Sequence, residues 1–119
     1  MKDISEKRLS DYMAEQIADE ILSGRIPGGS QLKQEELAEA FEASRIPIRE
    51  AFQILENQGL IIRLATRRIT VTELDEEQRL YAEYISSSSE QMQLYIRTLI
   101  DISRAATGYQ LHMEDIDLP

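Results

Sequence analysis

The run Ser44-Arg45-Ile46-Pro47-Ile48-Arg49-Glu50 constrains the fold more than any other stretch of the chain. A proline fits a helix only in the first turn, where its missing N–H would have had no partner. Pro47 therefore marks a helix start. Ser44 is a good N-cap for it, because its hydroxyl can accept an orphan backbone N–H. Glu50, Ala51, Phe52, Ile54, Leu55 and Gln58 continue the helix, and Gly59 closes it. Ile48, Phe52 and Leu55 share one face, while Arg45 and Arg49, four residues apart, stand on another.

Around this helix the chain is punctuated at short intervals. Residues 5–23 predict a helix, with Leu9, Met13, Ile17 and Ile21 every four positions and Tyr12 and Leu22 widening the stripe. Gly24 ends it, and Pro27-Gly28-Gly29 makes a turn. Gln31-Leu32 is too short for more than an edge pairing. A second helix, about 34–42, carries Leu37, Ala38 and Phe41, with Glu35 and Glu36 in the first turn, where the helix dipole favours acids. After the Ser44 helix, Leu60–Leu64 and Arg68–Thr72 are rich in β-formers and separated by a short basic turn, which predicts a hairpin. Three helices and a hairpin in some seventy residues outline a winged helix-turn-helix.

The remainder is helical. Asp75 and Gln78 form a capping-box pattern, with Leu80, Tyr81, Tyr84 and Ile85 as one apolar side. Ser86-Ser87-Ser88-Ser89 interrupts the helix, because serine competes for its own backbone. Met92, Ile96, Leu99 and Ser103 resume at helical spacing, with Tyr95 and Ile100 beside them, until Gly108. The expected fold is mainly α: a winged helix-turn-helix over 1–73, a short helical segment over 74–108 and an acidic tail over 109–119.

Composition narrows the function. The 119 residues include no cysteine and one histidine, His112, which excludes disulfides and thiolate metal sites and argues against a histidine-rich zinc or iron centre. No cofactor is expected. No apolar run is long enough to cross a bilayer, and the first residues lack the apolar core of a signal peptide, so a cytoplasmic protein is expected. No pair of carboxylates and no nucleophile arrangement suggests catalysis, and an enzyme is not expected. The net charge of -9 argues at first against nucleic acid. Its distribution does not: Arg45, Arg49, Arg63, Arg67 and Arg68 outnumber Glu50 and Glu56 over residues 43–72, while acids dominate 75–119. A basic face on an acidic body can dock phosphates while suppressing indiscriminate binding.

Four blocks stand in a recognisable order: Leu22-Ser-Gly-Arg-Ile-Pro-Gly-Gly-Ser-Gln-Leu32, Glu36-Leu-Ala-Glu-Ala-Phe41, Ser44-Arg-Ile-Pro-Ile-Arg-Glu-Ala-Phe52 and Leu55-Glu-Asn-Gln-Gly-Leu-Ile61. Over residues 8–72 the chain resembles the DNA-binding domain of the GntR family of bacterial regulators. The resemblance implies a homodimer on a palindromic operator, usually a repressor released by a metabolite. It also implies that Ser44 caps the recognition helix and touches phosphate, that Arg45 and Arg49 read bases or clamp phosphates, and that Arg67-Arg68 forms the wing tip near the minor groove.

Physical chemistry supports those roles independently. A recognition helix enters the major groove N-terminus first. Arginine bonds guanine bidentately through O6 and N7, worth roughly 1–3 kcal/mol of discrimination per good pair. Free N–H groups at a helix start hold phosphate, and arginines in a wing sense a narrow minor groove. Two positions depart from the family's pattern. Ile46 stands where threonine is common; it cannot donate to phosphate or base but can meet a thymine methyl. The wing tip lacks the usual glycine, so contact through side chains is expected there rather than through the main chain. Against these roles, Arg45 and Arg49 are surface residues that Glu42 or Glu50 could neutralise, and Arg63 and Lys33 read best as solvated decoration.

The motif is closest to FadR-type members and the length to the short YtrA-type, so a truncated longer regulator and a naturally short one are both open. The acidic and histidine metal sets of several longer effector domains cannot be drawn from one histidine. Helices 75–86 and 89–106 are the expected dimerisation elements; Tyr81, Tyr84 and Tyr95 read as core residues rather than as a ligand pocket. Two functions compete. One is a dimeric, sequence-specific transcription regulator with double-stranded DNA as partner. The other is a winged-helix interaction module, an antirepressor-like partner of a full-length relative.

Overall fold

The computed structural model describes residues 2–107. The expected acidic tail, His112 and the expected helix stop at Gly108 lie outside the described residues. Helix α1 spans Lys2–Leu22 and strand β1 Gln31–Leu32; α2 spans Gln34–Ala40 and α3 Arg45–Gln58. The hairpin is β2, Ile61–Arg63, and β3, Ile69–Val71; two further helices follow, α4, Glu76–Tyr84, and α5, Ser89–Thr107. This is a winged helix-turn-helix with a helical extension, as the sequence predicts.

The core is one contiguous cluster. Met13, Ile17 and Ile21 of α1 meet Ile48, Phe52 and Leu55 of α3, and Leu60, Ile61 and Val71 close it from the hairpin side. Each fully buried side chain of this size contributes about 1.5–3 kcal/mol relative to exposure. Leu9 and Tyr12, expected in the α1 stripe, emerge on its solvent side. The buried fourth partner in that turn is Ser10, whose hydroxyl donates to Glu50 at 3.3 Å.

The sheet order is β1-β3-β2, all antiparallel, so Gln31-Leu32 is indeed an edge strand. Leu32 pairs with Ile69, and Ile62 with Thr70. The hairpin loop closes with Arg67 N–H donating to the Leu64 carbonyl and Leu64 N–H to the Arg68 carbonyl, both at 2.8 Å. That is a three-residue loop ending in a left-handed residue, a place glycine ordinarily fills. Here Arg67 fills it, at φ 70°.

The recognition helix ends in a Schellman motif. Leu60 N–H donates to the Leu55 carbonyl, Gly59 N–H donates to that of Glu56, and Gly59 sits at φ 84°. Thr72, buried, donates its hydroxyl to the Gly59 carbonyl, tying the strand exit to the helix end.

The capping box of α4 forms in both directions: Gln78 N–H donates to Asp75 Oδ1 at 2.8 Å, and Asp75 N–H to Gln78 Oε1 at 2.9 Å. The serine run breaks the helix as expected, with turns over 85–87 before α5. Met92 and Ile96 are fully buried against the same core as Phe52, so this stripe packs within the chain; Leu99 is half-buried and Ser103 exposed. The expected apolar side of α4 faces outward instead. Leu80, Tyr81 and Tyr84 are exposed, Tyr84 at 81%, while Ala82 is the buried residue and Ile85 packs at the margin. The side of α4 that packs against α1 and α5 carries Ala82 instead. Tyr81 and Tyr84 are thus not core tyrosines. Tyr95 is half-buried and meets Tyr81 edge-on, ring centroids 4.6 Å apart. Burial, followed by Asp75, Tyr81 and Glu77, raises its phenol pKa above 10.0.

Candidate nucleic-acid interface

The helix-turn-helix is α2, a tight turn and α3. Glu42 turns the chain at φ 54°, with Ala43 N–H on the Ala38 carbonyl at 2.8 Å and Glu42 N–H on that of Glu39 at 3.1 Å. This second Schellman closure ends α2 within one turn of the start of α3. Ser44 then takes extended backbone angles at the N-cap of α3.

The expected capping bond is absent: Ser44 makes no side-chain bond to the helix it precedes. Its backbone occupies the cap position while its exposed hydroxyl points elsewhere. The first turn of α3 also holds no acidic residue. An uncapped helix start with no carboxylate in its own first turn keeps its partial positive charge for an outside anion.

Pro47 and Ile48 anchor this turn by burial, which leaves Arg45, Ile46 and Arg49 exposed around them; Ile46 is 58% exposed. Among the described residues the ion pairs are Arg25 with Glu20 and Arg63 with Glu56, the latter at 3.6 Å. Neither Arg45 nor Arg49 is in one, so pairing with Glu42 or Glu50 does not occur. Glu50 is turned the other way, toward Ser10 of α1. Arg63, by contrast, is neutralised by Glu56, in keeping with a decorative role.

Arg45 and Arg49 line one open cleft of about 370 Å³ with Lys33, Glu35 and Ile48, where the β1–α2 junction faces α3. By local pattern Glu35 is only an acid that favours the dipole of α2. Its place beside the arginines comes from the helix-turn-helix crossing, which no local pattern encodes. Arg67 and Arg68 lie apart from this cleft, exposed at the hairpin tip, where Arg68 Nε donates to Thr66 Oγ1 at 3.2 Å. Among the described residues no helix is long and apolar enough to cross a membrane, and no three His, Asp or Glu side chains are grouped to hold a metal ion.

An exposed, unpaired pair of arginines at the start of the second helix of a helix-turn-helix, with a β-hairpin wing behind it, defines a winged-helix DNA-binding protein. A family model for the bacterial regulatory proteins of the gntR family matches residues 9–71. The chain belongs to the GntR family and is a DNA-binding transcription regulator; the family is one of regulators rather than enzymes.

Proposed function

We propose that the protein is a bacterial cytoplasmic repressor that binds a palindromic operator as a homodimer. In this reading residues 1–73 form the DNA-binding unit and 74–108 the dimerisation segment. Arg45 and Arg49 read guanines in the major groove, Ser44 and the uncapped start of α3 hold a phosphate, and Ile46 meets a thymine methyl. Arg67 and Arg68 reach the minor groove from the wing. The observation that carries the reading is the absence of any ion pair on the exposed Arg45 and Arg49, which keeps their donors available at the helix end that enters DNA.

Dimerisation is supported by the outward Leu80, Tyr81 and Tyr84 of α4, three large apolar side chains exposed together on one short helix. The same surface also suits a second reading, in which the chain pairs with a full-length relative instead of acting alone.

A gel shift against the DNA upstream of its own gene separates these readings. Salt-sensitive, sequence-specific retardation, lost when Arg45→Ala and Arg49→Ala are combined, is the expected result. A folded dimer that retards nothing at low salt overturns it and favours the interaction module. Sedimentation at several concentrations reads the dimer directly, and a strict monomer contradicts that part.

A further inference from the structure

The cleft between the β1–α2 junction and α3 places a carboxylate among cations. Glu35, exposed in the first turn of α2, lines it together with Lys33, Arg45 and Arg49. Glu35 is in no ion pair among the described residues, and neither are those three cations. The donors of the arginines and the acceptors of the carboxylate therefore stay free on one surface. With three cations against one anion the cleft still attracts DNA, yet a carboxylate facing a phosphate would repel it.

We propose that Glu35 is a base-reading residue, accepting a hydrogen bond from the N4 amino group of a cytosine whose paired guanine is held by Arg45 or Arg49. This rests on the DNA-reading role given above to those arginines. The major-groove edge of a G·C pair presents, side by side, the N7 and O6 acceptors of guanine and the N4 donor of cytosine. A guanidinium and a neighbouring carboxylate complement that row: cation to acceptors, anion to donor. An A·T pair puts the thymine O4 acceptor where cytosine has its donor and sets two acceptors against each other. The reversed C·G pair brings the donor under the arginine. Glu35 thus turns a guanine contact into recognition of an oriented base pair.

The test uses the full chain. Its preferred site is selected from a randomised duplex pool, and affinities are read by fluorescence anisotropy. Each G·C pair is then changed to A·T, or its cytosine to N4-methylcytosine, whose methyl group removes the major-groove N–H. Wild type loses about tenfold in affinity for both changes at one G·C pair of each half-site. Glu35→Ala loses the sensitivity to N4-methylcytosine, keeps the discrimination against A·T that the guanine-bound arginine supplies, and leaves the dependence of affinity on salt unchanged. Glu35 is exposed, and an unaltered melting temperature verifies the fold.

If Glu35→Ala selects the same bases with the same sensitivity to N4-methylcytosine, the proposal is overturned and the roles of the arginines stand. If Glu35→Ala binds every duplex more tightly with a steeper salt dependence, Glu35 faces phosphate and the proposal is likewise overturned. If wild type selects no site at all, the DNA-reading role falls and this proposal with it.

Discussion

Gly59, which ends the recognition helix, lies directly under Ile96 of α5: a Cβ on Gly59 would stand 3.0 Å from Ile96 Cγ2. The left-handed backbone at Gly59 and this close approach act at the same point. Gly59→Ala is therefore expected to lower stability by about 1–2 kcal/mol, from the left-handed penalty and the crowding together. Urea unfolding at fixed protein concentration measures it. An unchanged midpoint would mean that α5 does not hold the end of α3.

Glu42 poses the opposite case. It occupies the left-handed position of the helix-turn-helix at φ 54°, without the freedom of glycine. Glu42→Gly is expected to stabilise the fold by about 0.5–1 kcal/mol, since relief of that strain exceeds the added chain entropy of glycine. The readout is a thermal melt, and a lower melting temperature contradicts it.

Arg67 combines strain with function. It holds φ 70° at the wing tip and is exposed. Arg67→Gly is expected to raise stability by about 1 kcal/mol. In the proposed function it also weakens DNA binding on all sequences and lowers the slope of log affinity against log salt by about one. Anisotropy titrations at several salt concentrations check this. A slope identical to wild type would remove Arg67 from the interface.

Tyr84 is 81% exposed in the single chain, so Tyr84→Glu should leave the stability of the isolated protomer nearly unchanged. If α4 forms the dimer contact, the same change buries a carboxylate there and raises the dimer dissociation constant by roughly tenfold or more. Sedimentation equilibrium decides; an unaltered constant moves the contact away from this face of α4.

Much of this protein was legible without its tertiary structure, because the relevant forces act within a few residues. Pro47 places a helix start, Gly59 a helix end, and Asp75 with Gln78 a capping box, and all three are found where the local chemistry puts them. The period-four stripe of Met13, Ile17 and Ile21 likewise needs only helix geometry to choose its buried face.

What the local pattern could not decide is what meets what across the fold. Leu80, Tyr81 and Tyr84 share an apolar side, but whether it is covered depends on how α4 lies against α1 and α5, and that arrangement turns Ala82 inward instead. Ser44 has the chemistry of a cap and does not make the bond. Glu50, a possible neutraliser of Arg49 on sequence alone, is drawn to Ser10 forty residues away, while Glu35 is carried into the cleft of Arg45 and Arg49. Propensity and periodicity act along one element, whereas exposure and pairing are set by elements distant in the chain. The sequence therefore determined the helices, the wing and the position of the recognition helix; only the packing of those elements left its two arginines unpaired and put a carboxylate beside them.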